Sequence, residues 1–226
     1  GGSGGSVQPV GAPVTGWTAR PLPAGVVLTG RTCLLEPLSS AHVAGLAEAW
    51  AGTDDAHWTY LPMPRPHTPD AVAHLVDSMV GDPTTVAYCV LVDALAAGVL
   101  SLMRIDPANG VVEIGAVILG TSLVRTLAST EAQRLLMGHV FDDLGYRRLE
   151  WKCDALNAPS RRAALRLGYT FEGVFRQALV VKGRNRDTAW FSVIDGEWPA
   201  VRERLDAWLD PANFDAEGRQ RHRLLG

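Results

Sequence analysis

The sequence contains only three cysteines, Cys33, Cys89 and Cys153, and they stand singly and far apart. An odd number at wide spacing excludes a disulfide framework and gives no metal-binding signature. We therefore expect three buried, small apolar side chains, no bound metal, and a reducing, cytoplasmic compartment.

Long apolar runs, excess charge and internal repeats are also missing. No run of about 18 apolar residues exists, so the sequence predicts no membrane span. The formal net charge of −3 argues against a general nucleic-acid or membrane-surface binder. With 226 residues, 47% of them hydrophobic, the chain can build one sizeable domain.

Both ends of the chain differ in composition from its middle. Residues 1–6 are a Gly/Ser repeat typical of an artificial linker, and residues 7–25 are rich in proline and glycine. Residues 211–226 are polar and arginine-rich, which favours a loose tail. We expect a flexible segment over 1–25 and a folded domain over 26–210.

Apolar periodicity predicts strands that alternate with helices. One helix is capped by Thr68 with Pro69 at its first position, and the longest helix, over 130–144, ends at Gly145. This helix links two strands, which predicts a central parallel pair and an α/β fold. The predicted strands cover 27–37, 86–92, 98–105, 111–119, 149–153, 171–181 and 187–194, and a last helix covers 199–209.

The most informative run is residues 157–169, which predicts a short helix with a start signal and a stop signal. Asn157 is a good N-cap, Pro159 lies in the first turn, and Gly168 suits the left-handed residue that ends a helix. Strands are predicted directly before and after it. A polar side chain at such a junction, backed by arginines, can hold an amide or a phosphate group.

This run resembles the Asn-x-x-Ser/Ala and Gly-Phe segment of the GCN5-related N-acetyltransferases. It is most similar to the branch that acetylates ribosomal-protein N-termini and small amines. The resemblance covers residues 31–209 and is strongest over 131–198. Three further runs carry it: Glu-Ala-Gln at 131–133, Phe-Asp-Asp-Leu-Gly-Tyr-Arg-Arg at 141–148, and Arg-Asp-Thr-Ala-Trp-Phe-Ser at 186–192.

The resemblance implies a single domain with a mixed central sheet of about six to seven strands, flanked by helices, whose central parallel strands splay apart. It also implies transfer of an acyl group, most simply acetyl, from acetyl-CoA or another acyl-CoA to a primary amine. The acceptor would be a small molecule or a protein N-terminus, attacking directly without a cysteine nucleophile. A homodimer is compatible with this reading, and the apolar hairpin over 171–181 could supply its interface.

In that family the cofactor pyrophosphate lies at the amino end of the helix after the central strand, where free amides and the helix dipole favour an anion. The family writes this loop with glycines, which residues 125–130 lack. The simpler alternative is a capped helix start without a ligand, with Asn157 only a cap and the strand residues only core. The implied cofactor residues are Val117, Ile118, Leu119, Arg125, Thr126, Leu127, Ala128, Ser129, Thr130, Asn157, Ser160 and Arg162.

Glu113 is the predicted base, because a carboxylate inside an apolar strand is costly unless it is used or paired. In a regular strand it would share a face with Gly115 and Val117. An ion pair with Arg104 is the alternative. Ala164 stands where the family often has a tyrosine that acts as the general acid. Without it, water or another hydroxyl would protonate the leaving group. The predicted catalytic residues are Glu113, Asn157 and Ser160.

Within the loop over 54–69, residues 57–62 resemble a substrate-side segment of the same branch, and His57, Trp58 and Tyr60 are the candidate acceptor residues. Stiff packing by the aromatic side chains is the alternative for each of them. Two competing functions remain for the chain as a whole: a non-catalytic acyl-CoA-binding regulatory module, and a domain that binds another phosphorylated ligand.

Overall fold

The computed structural model describes residue 5 and residues 7–225, so the Gly/Ser repeat lies outside the described residues except for Gly5. Within these residues the chain folds around one sheet of order β1-β2-β3-β4-β5-β6-β8-β7. The strands are β1 (Leu28–Thr29), β2 (Leu34–Pro37), β3 (Val86–Val92), β4 (Leu95–Asp106), β5 (Val111–Leu119), β6 (Arg148–Asp154), β7 (Thr170–Val181) and β8 (Arg184–Ile194). The α-helices are α1 (Val43–Ala51), α2 (Pro69–Gly81), α3 (Leu127–Gly138), α4 (Ala158–Leu167) and α5 (Trp198–Leu209).

The described sheet has eight strands, one more than the predicted upper number, because the first predicted strand divides in two. Gly30 donates its N–H to the carbonyl of Cys33 and closes a turn between β1 and β2. Glu131 of α3 fixes this turn by accepting hydrogen bonds from the Thr32 and Cys33 amides at 2.7 and 3.1 Å. A partner distant in sequence therefore creates the break.

Helix ends follow their local signals in most places. Thr68 caps α2 with Pro69 at its start, and Asn157 caps α4, which ends at Gly168 with φ of 108°. The longest helix differs from the prediction, because the Thr126 side chain accepts from the Ser129 amide and starts α3 at Leu127. A π-helical turn (His139–Asp143) and Gly145 with φ of 70° then complete it.

Two apolar cores lie on opposite faces of the sheet. The larger core joins α3, α4 and α5 to the sheet through residues such as Leu136, Leu167 and Leu205. The smaller core lies under α1 and α2 and contains Trp50 and Ile118. The α/β class and the flanking helices are therefore confirmed.

The three cysteines are buried and free, as predicted. Burial is the main cause that raises the pKa of Cys33 and of Cys89 to about 12, and it also raises the pKa of Cys153. A thiol that stays protonated at neutral pH is a poor nucleophile. None of the three is placed to carry the acyl group.

Both terminal segments have packed portions that their composition did not predict. Trp17 donates its indole N–H to the carbonyl of Ala108, and the Tyr146 hydroxyl donates to the carbonyl of Pro21. In the tail, Phe214 packs edge-on against Trp208, and Leu224 is buried. No helix among the described residues is long and apolar enough to cross a membrane.

Candidate active site

The centre of the sheet opens where β5 and β6 run parallel. Only Val111, Val112 and Glu113 pair with β6, opposite Arg148, Leu149 and Glu150. Beyond Glu113 the pairing of the two strands ends, and no strand among the described residues pairs with 114–119 on their β6 side. The expected splay is therefore present, and it leaves backbone N–H and C=O groups free to bind an extended ligand.

A β-bulge in β5 changes which side chains share a face. Ser101 of β4 pairs with Gly115, while Val99 pairs with Ile118, so Ala116 and Val117 both fall opposite Leu100. Ala116 adopts a left-handed φ of 45°. As a result, Val117 packs with the larger core, and the regular-strand prediction that placed it beside Glu113 is wrong.

Gly115 does share a face with Glu113, as predicted. A Cβ atom at Gly115 would lie 2.5 Å from Glu113 Oε2, so any larger residue would displace the carboxylate. Because residue 115 has no side chain, the carboxylate of Glu113 can occupy the base of the splay.

Glu113 is 2% exposed and lies among charged neighbours. Its Oε1 is 3.3 Å from Lys152 Nζ of β6 and 3.6 Å from Arg104 Nε of β4, and within the described residues no amide or hydroxyl donates to it. Burial raises the pKa of Glu113, and the positive charges of Lys152 and Arg104 reduce the rise without cancelling it. Such a carboxylate is suited to accept a proton near neutral pH.

The same face continues across β6, β8 and β7 as a charged network. Arg148 donates to Glu150 at 2.9 Å and to both carboxylate oxygens of Glu172, at 2.7 and 3.0 Å. Ser192 donates to Glu172. Arg148 and Ser192 thus donate to Glu150 and Glu172, whereas Glu113 meets the Lys152 ammonium but no guanidinium or hydroxyl hydrogen bond among the described residues.

The loop after β5 places polar groups at the start of α3. Arg125 has a left-handed φ of 58° and is exposed, while Thr126 caps the helix. Thr130 lies one turn further in, buried, where its hydroxyl accepts from Arg166 at 2.9 Å. The helix therefore starts after Thr126, four residues earlier than the start predicted at Thr130.

The α4 junction lies beside the open end of β6. Asn157 accepts from the Ser160 amide at 3.2 Å, so its capping role is real. The Ser160 hydroxyl accepts from the Trp151 indole at 3.1 Å, which leaves its own hydrogen free to donate. Arg162 is exposed on the first turn of α4, and Ala164 is buried.

The loop between α1 and α2 crosses the other end of the splay. His57 Nε2 lies 2.8 Å from the carbonyl oxygen of Leu119, and Nε2 carries the proton because a carbonyl only accepts. The Tyr60 hydroxyl donates to the carbonyl of Leu156, and Lys182 of the β7–β8 turn donates to the carbonyl of Trp58.

Trp58 itself is 1% exposed, donates to Thr53 and packs edge-on against Trp50. It is a core residue in the structure and has no surface to offer an acceptor. His57 and Tyr60 therefore remain the candidate acceptor residues of the loop, and Trp58 anchors the loop to the smaller core.

The structure places these predicted residues along β5 and on the elements next to it. Glu113 lies where the pairing with β6 ends, 117–119 lie beyond it, Thr126 and Ser129 lie at the start of α3, and His57 contacts the carbonyl of Leu119. Sequence reasoning missed Lys152 and Lys182. A clue to Lys152 was available, because it lies on the predicted strand that pairs with the strand of Glu113.

Comparison with known proteins explains this arrangement. Residues 33–170, more than half of the chain, match the family described as "Acetyltransferase (GNAT) domain". The chain belongs to the GNAT family. It is an N-acetyltransferase of that family, and the expected family is confirmed. A GCN5-related N-acetyltransferase from Brucella melitensis is 47% identical with a TM-score of 0.91, covering 93% of this chain and 97% of its own.

Two further GNAT relatives are informative. The protein named "Putative ribosomal N-acetyltransferase YdaF" from Bacillus subtilis (strain 168) is 30% identical over 112 residues, which is 48% of this chain. The match spans 58% of the length of that curated relative. The Microcin C7 self immunity acetyltransferase MccE, solved in complex with acetyl-CoA and AMP, shares the fold. It has a TM-score of 0.66 at 22% identity and covers 73% of this chain and 93% of its own.

Acetyl-CoA is the co-substrate of GNAT enzymes, and the residues present here fit it. The unpaired side of 114–119 offers the ladder groups that an extended amide-containing arm needs, and the capped start of α3 offers amides to an anion. Within the described residues no group of His, Cys, Asp and Glu could hold a metal ion.

Proposed function

We propose that this GNAT enzyme transfers acetyl from acetyl-CoA to a primary amine by direct attack within a ternary complex. The observation that carries the proposal is the buried carboxylate of Glu113 at the base of the splay, which meets the Lys152 ammonium but no amide or hydroxyl donor among the described residues. The acceptor is a small-molecule amine or a protein N-terminus. Similarity to YdaF, named as a putative ribosomal N-acetyltransferase, supports the protein N-terminus, and the aromatic loop near the splay supports the small molecule.

Cofactor binding is assigned to two surfaces of the chain. The backbone of Val117, Ile118 and Leu119 pairs with the pantetheine arm, and 125–130 together with Arg162 bind the phosphates. The exposed guanidinium of Arg125 and the free amides of the first turn of α3 support the second assignment. When bound, acetyl-CoA supplies an activated thioester carbonyl. The complex of MccE with acetyl-CoA supports the choice of ligand.

Glu113 acts as the general base through a water molecule. Its raised pKa makes it a stronger base than an ordinary glutamate, and Lys152 and Arg104 keep enough of it ionised to work at neutral pH. The carboxylate is nearly inaccessible to solvent, so a single water relays the proton from the amine. The carboxylate of Glu113 must therefore be ionised before each turnover.

Ser160 is the proposed hydroxyl donor to the departing thiolate, and Asn157 holds the start of α4 so that Ser160 faces the splay. The bond from Trp151 fixes the Ser160 oxygen and leaves its hydrogen free. Tyr169 is not chosen: its hydroxyl is buried and has no partner among the described residues, and burial raises its pKa.

The first experiment is the melting temperature with acetyl-CoA, with ADP as control. Ligand at about a hundred times its dissociation constant adds roughly 2.7 kcal/mol, or about 5–11 °C for a domain of this size. Release of free thiol is then followed with a panel of amines. A shift with acetyl-CoA but no amine-dependent thiol release would favour a regulatory binding module instead, and an equal shift with ADP would favour another phosphorylated ligand.

A further inference from the structure

Arg104 adopts a backbone conformation that is costly for an arginine. Its φ is 49°, in the left-handed region where Cβ crowds the backbone and glycine is favoured. A bulge in β4 produces this conformation, because Met103 pairs with Glu113 and Asp106 pairs with Val111. Arg104 and Ile105 together therefore lie opposite a single residue. Strain of this kind persists only where the surrounding structure enforces it, and it clusters at functional sites.

The effect of the bulge is to aim the guanidinium of Arg104 at the active site. Its Nε lies 3.6 Å from Glu113 Oε1 and 4.0 Å from Glu150 Oε1, and its Cζ is 5.3 Å from the ring centre of Trp190. In a regular strand Arg104 would point to the face opposite Met103. The side chain remains 53% exposed, so its outer nitrogens reach solvent at the mouth of the site.

Neither carboxylate needs Arg104 as its main counter-ion. Lys152 lies closer to Glu113, at 3.3 Å, and Arg148 lies closer to Glu150, at 2.9 Å. Within the described residues Arg104 makes no hydrogen bond, although a guanidinium carries five N–H donors in a planar fork. A strained, half-exposed guanidinium without a hydrogen-bonded partner, stacked on an aromatic ring, is arranged to receive an anion.

We propose that Arg104 binds a negatively charged group of the acceptor and selects amines that carry a carboxylate or phosphate close to the amine. The inference rests on the proposed function, since it names the acceptor class of the same site. The geometry supports it: the carboxylate of Glu113 is the proposed base for the amine, and the half-exposed guanidinium of Arg104, with its Nε 3.6 Å from that carboxylate, can receive an anion of the same acceptor. Trp190 and the exposed Phe175, with ring centres 5.2 Å apart, border the same face.

The test compares acceptor pairs in which one member carries an anionic group that the other lacks. One pair is the peptide amides Ala-Asp and Ala-Asn, and the other is 2-aminoethyl phosphate and ethanolamine. We expect kcat/KM to favour the charged member of at least one pair by about 10- to 100-fold, as a hydrogen bond between charged groups allows. Preference within the first pair identifies a peptide acceptor, and preference within the second identifies a small molecule.

Arg104→Gly should abolish this preference, with the loss appearing in KM. The melting temperature should not fall, because glycine relieves the left-handed strain. Arg104→Lys should retain part of the preference. The control is Arg147→Met, which removes the same charge from an exposed residue that stacks on Trp17. It should keep the wild-type ratio.

An Arg104→Gly enzyme that keeps the wild-type ratio, or a wild-type enzyme without preference in either pair, overturns the inference. The proposed function fails separately, on the absence of acetyl transfer to any amine. In that case the dissociation constants of the same pairs, measured by titration calorimetry with coenzyme A present, decide the role of Arg104. The ratio must again fall in Arg104→Gly and persist in Arg147→Met.

Discussion

Two buried glutamates show how differently the same side chain is used in this enzyme. Glu131 of α3 accepts hydrogen bonds from the Thr32 amide, the Thr32 hydroxyl and the Cys33 amide, at 2.7–3.1 Å. Glu113 of β5 has no amide or hydroxyl donor among the described residues, only the cations of Lys152 and Arg104 at 3.3 and 3.6 Å. Burial acts to raise both pKa values, but the donors to Glu131 outweigh it and lower its pKa.

The difference separates a carboxylate that stabilises the fold from one that is free to react. Hydrogen bonds from amides fix Glu131 in its charged form and tie β1 and β2 to α3. The two cations near Glu113 keep it from being fully neutral while leaving its lone pairs available. Net stabilisation of the charged form therefore marks the structural acid, and net destabilisation marks the candidate base.

The largest expected effect is on turnover. Glu113→Gln should lower kcat/KM by about 10²- to 10⁴-fold, because the amide cannot accept the proton. The dissociation constant for acetyl-CoA should stay unchanged. Glu131→Gln is the matched control, a buried glutamate outside the site, and should keep its turnover per folded molecule. Steady-state kinetics within a factor of three of wild type for Glu113→Gln would remove Glu113 as the base.

The second effect is on stability, where changing Glu131 should cost more than changing Glu113. Glu131→Ala leaves the Thr32 and Cys33 amides without an acceptor, which costs about 2–3 kcal/mol. The melting temperature should fall by roughly 4–12 °C. Glu113→Gln should be no less stable than wild type at neutral pH, because it removes a disfavoured buried charge. Calorimetry of both variants checks this, and equal losses would mean that the two sites do not differ.

The third effect separates the two residues by pH. Glu113 must be ionised, so kcat/KM should fall as pH falls through a pKa above the ordinary value for glutamate. The pKa of Glu131 is lowered on folding, so its contribution is present above about pH 4.3, the unfolded value, and is lost below it. As the pH is lowered, kcat/KM should therefore be lost first. The stability difference between wild type and Glu131→Gln should be lost only at a lower pH. Coincident transitions would contradict the assignment.

The smallest effect is a displacement of the pH profile. Lys152→Met removes the positive charge nearest to Glu113. The charged and titratable groups that still face Glu113 are then Arg104, the carboxylate of Glu150 and the buried Tyr169. The acidic limb of kcat/KM should move to higher pH. Lys152→Arg should restore it. A limb that stays in place would show that Lys152 does not influence the base.

Local signals were sufficient for much of the fold. The caps at Thr68 and Asn157, and the stop at Gly168, are properties of neighbouring residues, so the sequence predicts α2 and α4 well. The start of α3 was predicted late, because Thr126, Ser129 and Thr130 all offer a hydroxyl. Only the folded loop determines which of them becomes the cap.

The site was predictable only in part, because bulges depend on the partner strand. Glu113 stands out as an acid in an apolar run, and that signal is local. The left-handed residues Arg104 and Ala116 arise from the register of β4 against β5, which the sequence does not reveal. For the same reason Val117 was placed on the wrong face and Arg104 was treated only as a counter-ion.

The splay has a further consequence for the behaviour of the sheet in the cold. The half containing β1–β5 is joined to the half containing β6–β8 by three residue pairs at the sheet centre. The ion pair of Lys152 with Glu113 and the hydrogen bonds from Tyr60 and Lys182 also join the halves, and the larger apolar core is shared by both. Because apolar attraction weakens on cooling, this seam is expected to loosen at low temperature before either half does.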